Sequence, residues 1–255
     1  MTSPTRRPVF EITGFKFRLW PIVLAAVLMQ LCLVPARELA RFIFKAGPDG
    51  LSEHVGLFVF LAIMLQGLCG LMGILAMRRL LPAADAHLRW PPGRSYIGLA
   101  VLVGIGMGLV MLVADYLPEL LARRAPDGGY SLEPAIAAGW LLAMVTTGLG
   151  EETIFRGFLV GMLAVLVPGR VRLGGFEIPV GGVIVALLFA AAHYDSFLHD
   201  PLHLALAQQV YGFTWGLIYV WLMERSKSLV APIVAHGVGN FLEVAIVMGL
   251  MAAWG

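Results

Sequence analysis

The stretch PAIAAGWLLAMVTTGLGEETIFRGFLVGMLAVLV, residues 134–167, is a long apolar run with Glu151, Glu152 and Arg156 near its centre. A transmembrane helix needs about 20 consecutive apolar residues, so this run is long enough to cross a bilayer. A charged side chain at the bilayer centre costs about 2.5–3.5 kcal/mol on insertion scales. Charged side chains inside a membrane helix are therefore expected to be paired, hydrated or functional. The run predicts a functional polar site inside a membrane helix.

The composition of the whole chain is that of an integral membrane protein. Of its 255 residues, 59% are hydrophobic and only 13% are charged, whereas soluble domains are about 45–50% apolar and about 25% charged. The formal net charge of +2 is too small to indicate a nucleic-acid partner. The apolar runs predict one all-α, membrane-embedded domain over residues 1–255 with about seven spans: 20–36, 55–77, 96–117, 134–167, 179–195, 203–223 and 229–254.

The number of spans depends on whether residues 134–167 form one long helix or two short ones, which would give an eight-span alternative. Cytoplasmic loops are enriched in Lys and Arg. With seven spans and a cytoplasmic N-terminus, twelve Lys and Arg residues lie inside and five outside, whereas eight spans abolish the bias. The charges favour seven spans and a cytoplasmic N-terminus, as in a bacterial inner membrane. Among the outside residues, Arg37, Arg41 and Lys45 are four apart and predict a stripe that faces lipid headgroups.

Ionisable residues are concentrated in the second half of the chain. The first three predicted spans contain almost none, which predicts that residues 1–130 are mainly scaffold and that residues 131–255 carry the site. The later spans contain the polar residues suited to a buried site: Glu151, Glu152, Arg156, His193, His236, Asn240 and Glu243.

Helical spacing places several of these residues on shared faces. Glu152 and Arg156 are four residues apart and can form an ion pair, which makes a buried arginine tolerable. His236 and Asn240 have the same spacing. A carboxylate and a histidine in a low-dielectric site can activate water, and a histidine with an amide can stabilise an oxyanion. The combination predicts hydrolysis of a peptide bond without a covalent intermediate.

The depth of these residues along their helices tests whether they can meet. At about 1.5 Å per residue, Glu151 lies about 24 Å from the inner end of its helix and His193 about 20 Å. By the same measure, His236 lies only about 10 Å from the inner end. Helix tilt and side-chain length must bridge this difference if the three groups share one site.

Three motifs in the second half of the chain resemble those of the CPBP intramembrane proteases, which include the type II CAAX prenyl endopeptidases and the bacterial Abi proteins. The motifs stand in family order as EETIFR at 151–156, FAAAH at 189–193 and HGVGN at 236–240. The resemblance covers about residues 134–245. It implies a polytopic helical fold and a glutamic-type endopeptidase that cleaves a membrane-associated protein or peptide within the lipid bilayer.

The resemblance also implies a role for each matching residue. Glu151 and His193 would hold and activate the attacking water, while His236 and Asn240 would form the oxyanion hole. No metal or other cofactor is implied. Three further residues would shape the site: Glu152, Arg156 and Phe189.

Three alternatives compete with this interpretation. The Glu and His side chains could bind a catalytic metal, or build the proton relay of a proton-coupled transporter, or belong to a non-catalytic binding or immunity protein of the same fold. The sequence assigns no role to Glu243 or to His199 and His203. It also leaves the substrate, its prenylation, the cleavage site and the oligomeric state undefined.

Overall fold

The protein is a bundle of membrane-length helices. The computed structural model describes residues 10–12, 15–48, 50–173 and 175–255. Within these residues the α-helices are α1 Leu19–Ala46, α2 Val55–Leu80, α3 Ile97–Ala122, α4 Pro134–Glu152, α5 Gly161–Leu166, α6 Val180–Ala191, α7 Ser196–His199, α8 Leu202–Ser226 and α9 Val230–Trp254. A π-helix, Thr153–Val160, joins α4 to α5. The prediction of an all-α membrane bundle is confirmed.

Each of the seven predicted spans contains helix. Five segments of the described chain are long and apolar enough to cross a membrane: Leu19–Ala46, Val55–Leu80, Ile97–Ala122, Val180–His199 and Val230–Trp254. The two other predicted spans, 134–167 and 203–223, are also helical and fall outside this set.

The run that carries the central charges is one continuous helical segment. α4 begins at Pro134, where proline is favoured because the first helical N–H has no partner to lose. The preceding Glu133 caps the helix, since its carboxylate accepts a hydrogen bond from the Ile136 N–H at 2.9 Å. After Glu152 the hydrogen-bond pattern changes from i→i+4 to i→i+5 for eight residues and then returns to α. Such π-helical segments occur frequently at functional sites.

Three connections meet on one face of the bundle, here called the arginine-rich face: residues 81–96, 167–179 and 226–229. The Leu229 N–H donates to the His87 carbonyl at 3.0 Å, and Arg89 Nε donates to the Lys227 carbonyl at 3.0 Å. Because these connections lie together, the helical run between them and the α3–α4 loop crosses the bundle once. Two residues in the sequence charge count, Arg6 and Arg7, lie outside the described residues.

Two short antiparallel hairpins accompany the helices. β1 (Phe10–Ile12) pairs with β2 (Phe15–Phe17), and β3 (Arg170–Leu173) pairs with β4 (Phe176–Pro179). Strands of three or four residues give almost no periodic signal, so the apolar pattern did not predict them. In the second hairpin Arg172 lies opposite Glu177, a cross-strand charge pair that favours this register.

Glycines allow α4 and α9 to approach closely. A Cβ on Gly148 would lie 2.3 Å from the Ile233 carbonyl oxygen, and a Cβ on Gly237 would lie 2.5 Å from the Val145 carbonyl oxygen. Larger side chains at these positions would push the helices apart. The close contact holds Glu152 of α4 next to His236 of α9.

Candidate active site

A cavity of about 410 Å³ lies between the helices. Its wall includes every residue to which the motifs assign a chemical role: Glu151, His193, His236 and Asn240. A second cavity of about 180 Å³ also contacts Glu151 and His193. The structure therefore places the residues of three different motifs around one cavity.

The first three helices also line this space. α1 contributes Arg37, α2 contributes Phe58 and Gln66, and α3 contributes Met107 and Met111. α1–α3 therefore form part of the cavity wall, and the division into scaffold and catalytic helices stays a prediction. Their side chains there are mostly uncharged, which explains why ionisable residues alone did not reveal them.

The buried charges form a network. Arg156 NH1 donates to Glu152 Oε1 at 3.0 Å, and His236 Nδ1 lies 2.8 Å from the same oxygen. Glu152 and Arg156 are fully buried, and His236 is 3% exposed. A carboxylate acceptor at this distance places the Nδ1 proton of His236 between the two groups. Glu152 thus orients the imidazole as well as pairing with the arginine, a contact that the sequence spacing did not reveal.

Aromatic rings surround the Arg156 guanidinium. Its central carbon lies 4.4 Å from the Phe189 ring centre, 5.1 Å from that of Tyr219 and 5.8 Å from that of Phe155. The rings offer their negative faces to a cation that has little other solvation. Tyr219 also stacks on the His236 ring, with centroids 5.0 Å apart. Tyr219 belongs to no motif, and its sequence signal is only that of an aromatic residue inside an apolar run.

The spacing of FAAAH has a structural reason. His193 Nδ1 lies 2.8 Å from the Phe189 carbonyl oxygen, one helical turn earlier. Because a carbonyl can only accept, Nδ1 carries the proton and, in the neutral ring, Nε2 has the free lone pair. The Phe189 ring packs edge-on against the imidazole at 5.1 Å. Gln209 of α8 donates to the His193 carbonyl at 3.2 Å and ties this end of α6 to α8.

Glu151 has a different environment from its neighbour. Its Oε2 atom is buried and has no hydrogen-bond partner among the residues that the structure describes. This oxygen lies 3.9 Å from His236 Nε2, and the Glu151 side chain is 17% exposed. Buried acceptors are normally satisfied, so a carboxylate oxygen left open on a cavity wall is available to water or substrate.

Arg37 lies elsewhere than the sequence predicts. It lines both cavities and pairs with Asp195 at 2.8 Å instead of facing lipid headgroups with Arg41 and Lys45. The partner at Asp195 is 158 residues away, so spacing along α1 could not reveal it.

The remaining polar residues have distinct positions. Glu243 and Gln208 line the main cavity, as does Tyr130 of the α3–α4 loop. Burial, together with nearby acidic groups, raises the pKa of Tyr130, so its hydroxyl stays protonated near neutral pH. Within the described chain, no cluster of three or more His, Cys, Asp or Glu side chains is arranged to hold a metal ion, and this includes His199 and His203.

A polytopic helical bundle with a carboxylate, two histidines and an asparagine around one cavity has the groups that an intramembrane hydrolase needs. Residues 133–242 match the family described as Type II CAAX prenyl endopeptidase Rce1-like, and this match supports a CPBP-family membrane protease. The matched segment contains all three motifs, which confirms the resemblance inferred from the sequence. Comparisons with curated proteins and with solved structures found no match. The family description is that of a CAAX-type protease and implies a protein or peptide substrate.

Proposed function

We propose that the chain is a glutamic-type intramembrane endopeptidase in which Glu151 and His193 activate a water molecule. The observation that carries this proposal is the buried, unpartnered Oε2 of Glu151 on the cavity wall. An unsatisfied buried acceptor costs about 1–3 kcal/mol, and water is its simplest partner. The 410 Å³ cavity lies within the size range of small-ligand sites, about 300–1,000 Å³.

The two proton acceptors have complementary roles. The Glu151 carboxylate takes a proton from the water as the water oxygen attacks the scissile carbonyl. His193 holds the water through Nε2, because its Nδ1 proton is already donated to the Phe189 carbonyl. Glu151 then delivers the proton to the nitrogen of the leaving amine, so the peptide C–N bond breaks with the charges balanced.

His236 and Asn240 are the proposed donors to the oxyanion. Glu152 holds the His236 ring through Nδ1, which leaves Nε2 on the side of Glu151. When this ring carries two protons, both nitrogens donate, and Nε2–H can stabilise the negative oxygen. The amide of Asn240 lies one turn further along α9 on the same cavity wall. Removing one such donor typically costs about 100-fold to 1,000-fold in rate.

The direct test compares Glu151→Gln with Glu243→Gln, since both remove a carboxylate from the cavity wall. Purified protein in lipid vesicles is assayed with a prenylated CAAX peptide, a probe suggested by the family description. Glu151→Gln should slow cleavage by about 100-fold or more, while Glu243→Gln keeps cleavage within about tenfold of wild type. Cleavage by Glu151→Gln at a rate close to wild type contradicts the mechanism.

The natural substrate can be found without choosing a peptide in advance. Membrane proteomes of cells with wild-type protein and with Glu151→Gln are compared for new N-termini. Precursors that accumulate uncut only with Glu151→Gln identify the substrate. Identical proteomes together with no cleavage of the probe favour a non-catalytic protein of this fold.

The proposed chemistry requires no metal. Cleavage should therefore be unchanged after prolonged dialysis against a strong chelator. Activity lost on chelation and restored by added Zn²⁺ would instead favour metal-activated water. We also place the N-terminus in the cytoplasm of a bacterial-type inner membrane, on the basis of the Lys and Arg distribution.

A further inference from the structure

The main cavity lies toward one end of the bundle. The connections at that end, here called the mouth face, are residues 47–54, 123–133 and 192–201, at the opposite helix ends from the arginine-rich face. Tyr130, which belongs to the α3–α4 loop, lines the cavity. So do Phe58, within the first turn of α2, and Gln208, in the second turn of α8.

The other end of the site is closed by packed side chains. Between the cavity and the arginine-rich face lie Phe158, Leu159 and Leu229, each at most 5% exposed. The His87 carbonyl accepts a hydrogen bond from the Leu229 N–H, which ties the connection 81–96 to the start of α9. Among the residues that line the main cavity, none comes from the three connections of the arginine-rich face. Water and substrate therefore reach Glu151 from the mouth face or from the lipid.

Basic residues are unequally divided between the two faces. The basic residues at or beside the arginine-rich face are Arg78, Arg79, Arg89, Arg94, Arg170, Arg172, Arg225 and Lys227. The mouth face has only four at or beside its connections, Arg41, Lys45, Arg123 and Arg124, together with the acidic residues Glu53, Glu119, Asp127, Glu133, Asp195 and Asp200. Because Lys and Arg of short loops mark the cytoplasmic side, the arginine-rich face is cytoplasmic and the mouth face is not.

We infer that the active-site cavity opens to the non-cytoplasmic side of the membrane and accepts a peptide bond that has already been exported. The substrate class is thus a membrane protein or membrane-bound peptide whose cleavage site lies on the outer side. This inference rests on the proposed peptidase function for its substrate, but the direction of the opening is a property of the fold and the loop charges alone.

Single-cysteine labelling in intact cells tests the direction. In a background with Cys32→Ala and Cys69→Ala, the exposed residues Arg94 and Arg124 mark the two ends of α3. Met144→Cys places a thiol in the cavity wall, outside the proposed chemistry. Each variant is treated with a small membrane-impermeant methanethiosulfonate before and after permeabilisation. The remaining thiol is then counted in denatured protein.

The expected result is loss of the free thiol in intact cells for Arg124→Cys and Met144→Cys, and for Arg94→Cys only after permeabilisation. Met144→Cys blocked only after permeabilisation overturns the inference, and so does Arg124→Cys with the cytoplasmic pattern. Gln208→Cys provides a second cavity position if Met144→Cys does not accumulate. A cavity thiol that no treatment blocks also counts against an open mouth.

Labelling requires no cleavage, so its outcome is independent of the peptidase proposal. A cavity open to the cytoplasm together with cleavage that depends on Glu151 would overturn only the direction. A cavity open to the outer side, with wild type and Glu151→Gln equally inactive on the prenylated probe and on the membrane proteome, would overturn only the peptidase function.

Discussion

Glu152→Gln should separate the structural role of this carboxylate from its effect on His236. Glu152 and Arg156 are fully buried and 3.0 Å apart. Removing one partner of a buried pair costs about 3–5 kcal/mol, because the other charge is left uncompensated. The amide still offers one acceptor, and three aromatic rings still face the guanidinium, so we expect the lower limit of about 3 kcal/mol.

The measurement is thermal unfolding of purified protein in detergent. For a chain of this size, about 1 kcal/mol lowers the midpoint by about 2–4 °C, so Glu152→Gln should lower it by about 6–12 °C. The matched control is Glu38→Gln, which removes the carboxylate of the exposed pair between Glu38 and Arg41. Exposed pairs contribute about 0–1 kcal/mol, so this control should change the midpoint by only a few degrees.

The double variant Glu152→Gln with Arg156→Met completes the test. Replacing both partners of a buried pair by uncharged groups is often neutral or stabilising, so the double variant should recover most of the lost stability. It should not recover cleavage, because His236 no longer has a carboxylate at Nδ1. The reasoning is refuted if Glu152→Gln is no less stable than Glu38→Gln, or if the double variant unfolds below the single one.

Three other perturbations address packing, ring position and acid sensitivity. Gly148→Ala should destabilise the protein by about 1–3 kcal/mol in thermal unfolding, because its Cβ would lie 2.3 Å from an α9 carbonyl oxygen; an unchanged midpoint contradicts the close contact. Tyr219→Phe should retain most cleavage because the ring still stacks on His236, whereas Tyr219→Leu should lose about 100-fold; equal rates for the two variants would argue against ring positioning. Burial alone would raise the pKa of Asp85, but a hydrogen bond from the His87 backbone and nearby positive charge lower it. The ionised Asp85 carboxylate therefore stabilises the folded protein above the unfolded-state pKa, and this stabilisation is lost as the pH falls through the folded-state pKa. Asp85→Asn should reduce the loss of stability seen between about pH 5 and pH 2. A variant with the acid unfolding profile of wild type would contradict this role of Asp85.

The sequence predicts the membrane fold and the family because both depend on local patterns. Apolar runs of membrane length and three motifs at fixed spacing need no knowledge of which helices touch. The same spacing predicts the pair between Glu152 and Arg156, which lie on one helix. The chemical roles of Glu151, His193 and the α9 residues stay predictions until cleavage is measured.

Contacts between residues that are distant in the sequence cannot be predicted from local sequence patterns. The contact between His236 and Glu152 joins residues 84 positions apart, and that between Arg37 and Asp195 joins residues 158 apart. Tyr219 reaches the site only because α8 packs against both α3 and α9, and its hydroxyl donates to Met107 Sδ of α3 at 2.6 Å. No periodicity within one helix contains that information, so the aromatic enclosure of the arginine becomes visible only in three dimensions.

The depths of Glu151 and His236 show how counting from helix ends can mislead. Counted in that way, the two residues differ by about 14 Å, yet their side-chain atoms lie 3.9 Å apart. The connection 81–96 at the arginine-rich face supplies a common reference for both helices. A Cβ on Gly157 would lie 3.6 Å from the Ala86 carbonyl oxygen, and the Leu229 N–H donates to the His87 carbonyl. Measured from those contacts at about 1.5 Å per residue, Glu151 is about 9 Å deep and His236 about 10 Å. The difference in depth disappears because the helix that carries Glu151 continues through α5 past the level of the connection 81–96, as does the β3–β4 hairpin. α9, by contrast, begins at that level. Helix ends at unequal heights, and not an exceptional tilt, therefore explain how the two motifs meet.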